Sequence, residues 1–225
     1  MRNPRLLLLA LLFGPLGATL AAPDFSDPKK TVQSLADAIK AGDVKAVRET
    51  MTMADAHQGP LLDVLSASIV AQHNMEAAAA VKFGAASKDL LDEGASLEGQ
   101  LKSVLKRMAS MDLAGDGETA TLAFKAPTTA PTTGPATAPV AAVPEFENQP
   151  DPLHFRKTPE GWKIDAARMM NLENPGQDKV AETVTPKLVK IWTEIAANIT
   201  AGKYGTVEAA REALAEKLAT VVAGQ

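Results

Sequence analysis

The chain has 225 residues, of which 23 are basic and 27 acidic, with a formal net charge of −4 and no cysteine. The lack of cysteine excludes a disulfide framework, a thiolate metal site, thiol chemistry and a lipid-modified amino-terminal cysteine. The acidic balance argues against nucleic acid as a partner, because nucleic-acid-binding proteins need a basic surface.

The first 21 residues are predicted to be a cleaved secretory signal. Arg2 and Arg5 form a charged start, residues 6–13 form an apolar run, and small side chains stand at Thr19 and Ala21. Small residues three and one positions before the cut are what signal peptidase requires. The apolar run is far shorter than the roughly 20 residues that cross a bilayer, so no membrane anchor is predicted. We therefore expect cleavage after Ala21 and a mature protein that works in the periplasm or outside the cell.

Four helices are predicted in the first half of the chain. Asp27 and Asp43 are expected to cap the first two, because an Asp side chain accepts hydrogen bonds from the free N–H groups at a helix start. Pro60 is expected to open a long third helix, and a fourth lies around Leu101. The glycines that are expected to end the first and third helices are Gly42 and Gly84. No strand is predicted before residue 108.

A first β-hairpin is predicted at the Asp116-Gly117 turn signal. Beyond the fourth helix the apolar period changes from about 3.6 to 2, which is typical of half-buried strands. The first strand is expected to begin at Ala109, and closing the turn at Asp-Gly sets Leu113 opposite Ala120. The apolar residues of both strands then share one face, which supports this register.

A second hairpin is predicted to turn over residues 158–161. Its register sets Phe155 opposite Ile164, and Leu153 then lies opposite Ala166. By strict alternation the two hairpins put their apolar residues on one inner face of the sheet. These residues are Ala109, Met111, Leu113, Ala120, Leu122, Phe124, Leu153, Phe155, Trp162, Ile164 and Ala166. On that face only Lys157 is ionisable, and its ammonium can reach water beside the turn.

The two hairpins are separated by residues 126–150, which are rich in proline, threonine and alanine. This composition favours neither a helix nor a hydrogen-bonded β-strand, so an exposed low-complexity loop is predicted. It is interpreted as an insertion between two strands, and the alternative is a glycosylated or partner-binding stalk.

The chain is predicted to end in two helices that form a C-terminal extension over residues 178–225. An apolar stripe begins after Pro186 and runs to Gly202, and Thr206 caps the last helix. The residues of that stripe are Leu188, Ile191, Trp192, Ile195 and Ile199. The fold class predicted for the whole chain is α+β, with N-terminal helices packed on a curved antiparallel sheet and C-terminal helices after it.

Three segments resemble the nuclear transport factor 2-like superfamily, also called SnoaL-like. They are AIKAGDVKAVRETM (38–51), AGDGETATLAF (114–124) and FRKTPEGWKIDAA (155–167), and the resemblance covers about residues 28–168. It implies a cone-shaped α+β domain, here assigned to residues 24–170. The chain departs from the family pattern in its missing or very short strand after the second helix, its long helical stretch over 60–107, its inserted loop and its C-terminal helices. The family includes isomerases, dehydratases, cyclases and non-catalytic binding modules, so membership alone does not decide activity.

The candidates for chemistry are few. The histidines are His57, His73 and His154, and none has a second histidine at metal-ligand spacing, so neither a metal nor another cofactor is predicted. In the predicted register His154 lies across from Asp165, and a histidine–carboxylate pair can act as a general base. The interpretation adopted is an exposed cross-strand ion pair without chemistry, because Asp165 and His154 fall on the outer face.

Four apolar residues of the inner face are candidates for the wall of a ligand site, namely Phe124, Phe155, Trp162 and Ile164. The same side chains are also what an ordinary core between sheet and helices requires. The leading hypothesis is an exported, non-catalytic binding protein of the periplasm or cell envelope, with a hydrophobic small molecule or a peptide as its possible partner. The alternatives are a small cavity enzyme of the ketosteroid-isomerase or SnoaL type, and a structural adaptor that self-associates through its C-terminal helices.

Overall fold

The computed structural model describes residues 22–91, 95–124, 152–174 and 176–223. Within these ranges the protein is an α+β fold, as predicted, in which helices precede and follow a five-stranded sheet. The helices are α1 (Pro28–Lys40), α2 (Val44–Glu49), α3 (Gly59–Phe83), α4 (Leu97–Arg107), α5 (Ala166–Met169), α6 (Gln177–Thr200) and α7 (Val207–Ala223). The strands are β1 (Met51–Thr52), β2 (Met111–Gly115), β3 (Thr119–Phe124), β4 (Leu153–Thr158) and β5 (Gly161–Asp165). The predicted signal and the predicted loop over 126–150 lie outside the described residues.

The predicted starts of the first helices are confirmed. The Asp27 carboxylate accepts a hydrogen bond from the backbone N–H of Lys29 at 2.8 Å, and the Asp43 carboxylate accepts one from Ala46 at 3.0 Å. Gly42 follows α1 with a φ of +67°, a left-handed conformation that glycine adopts without strain. The short loop between α1 and α2 is therefore fixed by local sequence.

The sheet has the order β1-β5-β4-β3-β2. The expectation of no strand before residue 108 is wrong, because β1 pairs in parallel with β5 and sets Met51 beside Ile164. A strand of two residues has no detectable alternation, so periodicity could not reveal it. The remaining pairs are antiparallel.

The predicted register of the first hairpin is wrong by two residues. Leu113 pairs with Leu122, and Gly115 pairs with Ala120. The turn moves one position along the chain, because the Asp116 N–H donates to the Thr119 carbonyl and the Asp116 carboxylate accepts hydrogen bonds from the backbone N–H groups of Glu118 and Thr119 at 3.1 and 2.8 Å. A shift of two residues keeps every side chain on its predicted face, since the side-chain period of a strand is two.

The strand also begins later than predicted, because Ala109 is exposed in the 3₁₀ turn Met108–Ser110. In the second hairpin the predicted pairing of Phe155 with Ile164 is confirmed. The pairing of Leu153 with Ala166 is wrong, because β5 ends at Asp165 and Ala166 begins α5.

Helix α6 begins at Gln177, one residue before the predicted C-terminal extension, and Pro186, which precedes the predicted apolar stripe, lies inside the helix. Proline removes one helical hydrogen bond and usually breaks a helix. Here α6 packs along α3, with Val184 before the proline and Leu188 after it against the same apolar cluster, and this tertiary packing outweighs the local cost. Helix α7 begins as predicted, with the Thr206 hydroxyl accepting from the backbone N–H of Ala209 at 3.3 Å.

The helix α3 lies between two hydrophobic cores. The first core joins α1, α2 and the start of α3 to the inner face of the sheet. Its largest members include Val32, Ile39, Val47, Met51, Leu62, Met111, Leu122, Phe155 and Ile164. The second core joins the remainder of α3 to α6 and α7, through Ala71, Met75, Ala79, Leu90, Ile191, Trp192, Ile195, Ile199, Ala210 and Leu214. The C-terminal helices are thus packed on the helix that also carries the sheet.

A carboxylate on α3 holds the start of α4. The Glu76 side chain accepts hydrogen bonds from the backbone N–H groups of Leu97 at 2.8 Å and Glu98 at 3.0 Å. It also accepts from the Ser96 hydroxyl at 3.1 Å and from the Gln72 amide at 3.0 Å. These N–H groups have no partner within their own helix, so Glu76 caps α4 from a neighbouring helix.

We expect Glu76→Gln to lower the free energy of unfolding by about 1–2 kcal/mol, the usual cost of losing a helix cap. The amide has one acceptor oxygen in place of two, and its NH₂ group would face N–H donors. Urea titration measures the loss, and hydrogen exchange should show it concentrated in α4. Glu182→Gln, at an exposed position of α6, is the matched control. Equal effects of the two substitutions would contradict the capping role.

Candidate functional site

The inner face of the sheet is filled by packed side chains. Of the predicted ligand-binding residues, Phe155 and Ile164 are each 1% exposed and belong to the first core. Trp162 is half-buried at the margin of this core, and the Lys157 ammonium lies 5.7 Å from the centroid of its ring. The side chain of Phe124 lies outside the described part. Three of the four residues predicted to line a ligand site can therefore be placed. They lie in the first core or at the edge of that core.

The polar residues of the outer face form a connected group. His154 Nδ1 lies 3.1 Å from the Thr121 hydroxyl and 3.4 Å from Arg168 Nη1. The Asp165 carboxylate is buried and accepts a hydrogen bond from Arg156 Nη2 at 2.9 Å. The structure thus gives His154 and Asp165 different partners, which corrects the ion pair predicted between them. The physical reason is that arginine offers a permanent charge and a planar fork that matches a carboxylate better than imidazole does.

The Asp165 side chain also binds a backbone N–H group. Its second oxygen accepts from the backbone N–H of Arg168 at 3.4 Å, which caps α5 where the chain leaves β5. The same carboxylate thus holds an arginine and a helix start. Asp165 therefore suits a structural role better than that of a general base.

Strand alternation puts Arg156 on the outer face, and the sequence pattern gives no role to Arg168. The Arg168 guanidinium also binds Glu173, with Nε 3.1 Å from the carboxylate. Arg156 Nε is buried and has no hydrogen-bond partner among the described residues, although the side chain as a whole is 39% exposed. The available signal is the cross-strand diagonal from Arg156 to Asp165, which a register of directly opposite residues does not include.

We expect Asp165→Asn to lower the free energy of unfolding by about 1–3 kcal/mol, because it removes the charged partner of Arg156 from a buried position. Asparagine can still cap α5, so the loss reports on the ion pair. Glu173→Gln, which weakens an exposed ion pair to the same group of residues, should cost about 0–1 kcal/mol. Thermal and urea unfolding of the two variants measure the difference, and its absence would contradict this assignment.

Two open depressions lie away from the inner face of the sheet. The larger, of about 790 Å³, lies between the first described residues and the helices α1 and α2. Charged side chains of both signs line it, including Asp24, Lys30, Asp37, Lys45 and Glu49. The smaller, of about 240 Å³, lies beside the start of α4. Neither brings a histidine into contact with a carboxylate.

The described residues hold no group of three or more histidine, aspartate or glutamate side chains placed to bind a metal ion. None of the helices described is both long enough and apolar enough to cross a membrane. The chain matches no protein-family model, no curated protein and no solved structure. The resemblance to the nuclear transport factor 2-like superfamily accordingly stays a prediction from three short motifs.

Proposed function

We propose that the protein is an exported, non-catalytic interaction protein of the periplasm or cell envelope, with a nuclear-transport-factor-2-like domain. The observation that carries the proposal is the filled inner face of the sheet. In a cavity enzyme a general acid or base must reach the substrate at hydrogen-bond distance. Here Phe155, Ile164 and Leu122 occupy that space, each no more than 1% exposed.

The partner surface that we propose is the outer edge of β2, where no other described strand pairs, and its ligand is an extended peptide. On the other side of the sheet, the N–H groups of Trp162 and Ile164 on β5 already donate to Phe25 and Thr50, and the outermost strand β1 has only two residues. In the first hairpin Asp116 N donates to Thr119 O, so by alternation the N–H and C=O groups of Leu113 and Gly115 point away from β3.

An added strand would meet both backbone and side-chain groups at this edge. Residues 112–115 of β2 are exposed, and Leu113 is 43% exposed. The Lys29 ammonium donates a hydrogen bond to the carbonyl of Met111 at 3.2 Å, so this carbonyl at the start of β2 already has a partner. An extended peptide that pairs with an open edge gains main-chain hydrogen bonds, with side-chain pockets at alternate positions.

The alternative of a self-associating adaptor has less support. The apolar residues of α6 and α7 that would form its interface pack against α3 and against each other, and Ile195 and Ile199 are 0% exposed. An interface through this stripe would require the chain to expose its own second core.

The interaction is tested with a photo-cross-linking amino acid at Leu113, in protein exported by its native host. We expect one adduct of defined mass whose cross-link maps to an extended segment of the partner. Val81, which is 89% exposed on α3, is the matched control position and should give no such adduct. Equal cross-linking at the two positions would contradict a site at the β2 edge.

Export is tested by the intact mass of the protein from the same host. We expect a chain that begins at Ala22, because Thr19 and Ala21 provide the small side chains that signal peptidase requires. A protein that still begins at Met1 would contradict the export proposal.

A further inference from the structure

The outer edge of β2 has a fixed end at Met111. Alternation along the strand turns the main-chain groups of Met111 outward, as it does those of Leu113 and Gly115. At Met111 both groups already have partners, because the N–H donates to the Met108 carbonyl and the carbonyl accepts from the Lys29 ammonium at 3.2 Å. Nothing in the described part of the chain bonds to the outward groups of Leu113 and Gly115. An added strand could therefore pair with Gly115 and Leu113 but could not continue past Met111.

A positive charge lies at this end of the edge. Lys29 is half-buried in the first turn of α1, and its ammonium reaches across to the start of β2. Among the described residues no carboxylate is paired with this ammonium, and the Met111 carbonyl uses one of its three donors. The Asp112 side chain points out of the outer face of the sheet rather than along its edge, and it has an interaction of its own. The end of the β2 edge can thus receive a negatively charged group.

This charge selects the direction of an added chain. An antiparallel strand would run from Gly115 toward Met111, so its carboxyl end would come to the Lys29 ammonium. A parallel strand would bring its positively charged amino end to the same place, where the two like charges would repel. A carboxylate there would instead accept a charge-assisted hydrogen bond. The same ammonium that ends the pairing therefore favours a chain that ends in a carboxylate.

We propose that the β2 edge binds the carboxyl-terminal segment of a partner protein in antiparallel orientation, with the terminal carboxylate on the Lys29 ammonium. This inference rests on the proposed peptide site at β2 and names the class of peptide that the site takes. About two residues before its end the peptide would lie opposite Leu113, at the strand spacing of about 3.3 Å per residue. The Leu113 side chain is 43% exposed and favours an apolar neighbour there.

The probe for the test is a library of random octapeptides, prepared once with a free terminal carboxylate and once with a terminal amide. Peptides at the β2 edge are selected by photo-cross-linking from Leu113, and their affinities for the unmodified protein are then measured by fluorescence anisotropy. We expect each free acid to bind at least about tenfold more tightly than the amide of the same sequence, the effect of one hydrogen bond to a charged group. Equal affinities of acid and amide would overturn the proposal.

A third form of the selected peptides ends in glutamate and carries a terminal amide. It offers a carboxylate on a side chain, whereas the chain end itself is neutral. Side chains of a paired strand project from the faces of the sheet, so only the chain end lies in line with the edge. We therefore expect this form to bind like the other amides. Affinity equal to that of the free acid would mean that the site recognises an acidic side chain, and it would contradict the proposal.

Substitutions of Lys29 test the assignment of the charge. Lys29→Met removes the ammonium and keeps an unbranched apolar side chain, so it should lower the affinity of the free acids to that of the amides. The affinity of the amides should not change, which also reports that the variant is folded. Lys29→Arg should restore the preference for the free acid, because arginine keeps the positive charge and the donors. Lys45→Met is the matched control on α2, where the side chain is 86% exposed, and it should change neither affinity.

The outcomes separate this inference from the proposed function. If no peptide in any form is cross-linked from Leu113, the β2 edge is not a peptide site and both proposals fail. If peptides are cross-linked there but the preference for the free acid is absent, or survives Lys29→Met, the peptide site stands and recognition of the chain end by Lys29 is wrong. Cross-links that map to the amino end of the peptide would contradict the antiparallel orientation.

Discussion

Replacing Phe155 with alanine is expected to lower the free energy of unfolding by about 3–5 kcal/mol, the usual cost of deleting a large aromatic side chain from a core. Phe155 is 1% exposed and is among the largest fully buried side chains of the protein. It contributes to the first core from the middle of the sheet, opposite Ile164 and next to Ala120. The cavity left behind could not be filled without moving the sheet or α1.

Urea unfolding followed by circular dichroism measures this loss. The matched control is Leu113→Ala, a truncation on the same face of the same sheet at a residue that is 43% exposed. Surface substitutions of this kind usually change stability by about 0.5 kcal/mol or less. A small effect at Phe155 would mean that the inner face is not packed, and it would restore the cavity enzyme as a candidate.

Ending the chain at residue 176 is expected to abolish cooperative unfolding. The truncation removes Ile191, Ile195, Ile199 and Leu214, and burial of each such side chain contributes about 1.5–3 kcal/mol. Their summed contribution is comparable to the whole stability of a typical domain, about 5–15 kcal/mol. The truncated chain would also expose Met75 and Leu90, which belong to the same core.

The measurement is thermal unfolding together with binding of a dye that detects exposed apolar surface. As a control, residues 127–145 are replaced by a short Gly-Ser linker, which should change stability by less than about 1 kcal/mol because closure entropy varies slowly with loop length. Cooperative unfolding of the truncated chain at an unchanged midpoint would show that residues 24–170 are an independent domain and that the C-terminal helices are only an appendage.

Much of the local structure could be predicted because local chemistry decides it. Asp27, Asp43 and Thr206 cap helices through their own side chains, and the second hairpin takes its register from its turn. The first hairpin shows the limit of this reasoning. The Asp-Gly signal predicted the hairpin and the right faces, but the hydrogen bonds of Asp116 placed the turn one residue further along the chain.

The candidate site was predicted less well, because its partners are distant in sequence. The register pairs His154 with Asp165 directly across the hairpin, whereas the Asp165 side chain binds the diagonal neighbour Arg156 and caps α5. No local sequence pattern predicts the capping role of Glu76, because the N–H groups that donate to its carboxylate lie about 20 residues further along the chain. Its role became visible only when α3 and α4 were placed side by side.

The sequence by itself determined the helices, the two hairpins, the apolar face of the sheet and the prediction of an exported chain without cysteine chemistry. Only the tertiary structure decided that Pro186 lies within a helix, that β1 joins the sheet and that the C-terminal helices share a core with α3. The physical reason is the range of the forces involved. Caps, turns and side-chain periods act over a few residues, whereas burial depends on which surfaces meet, and packing on α3 can offset the single hydrogen bond that Pro186 costs α6.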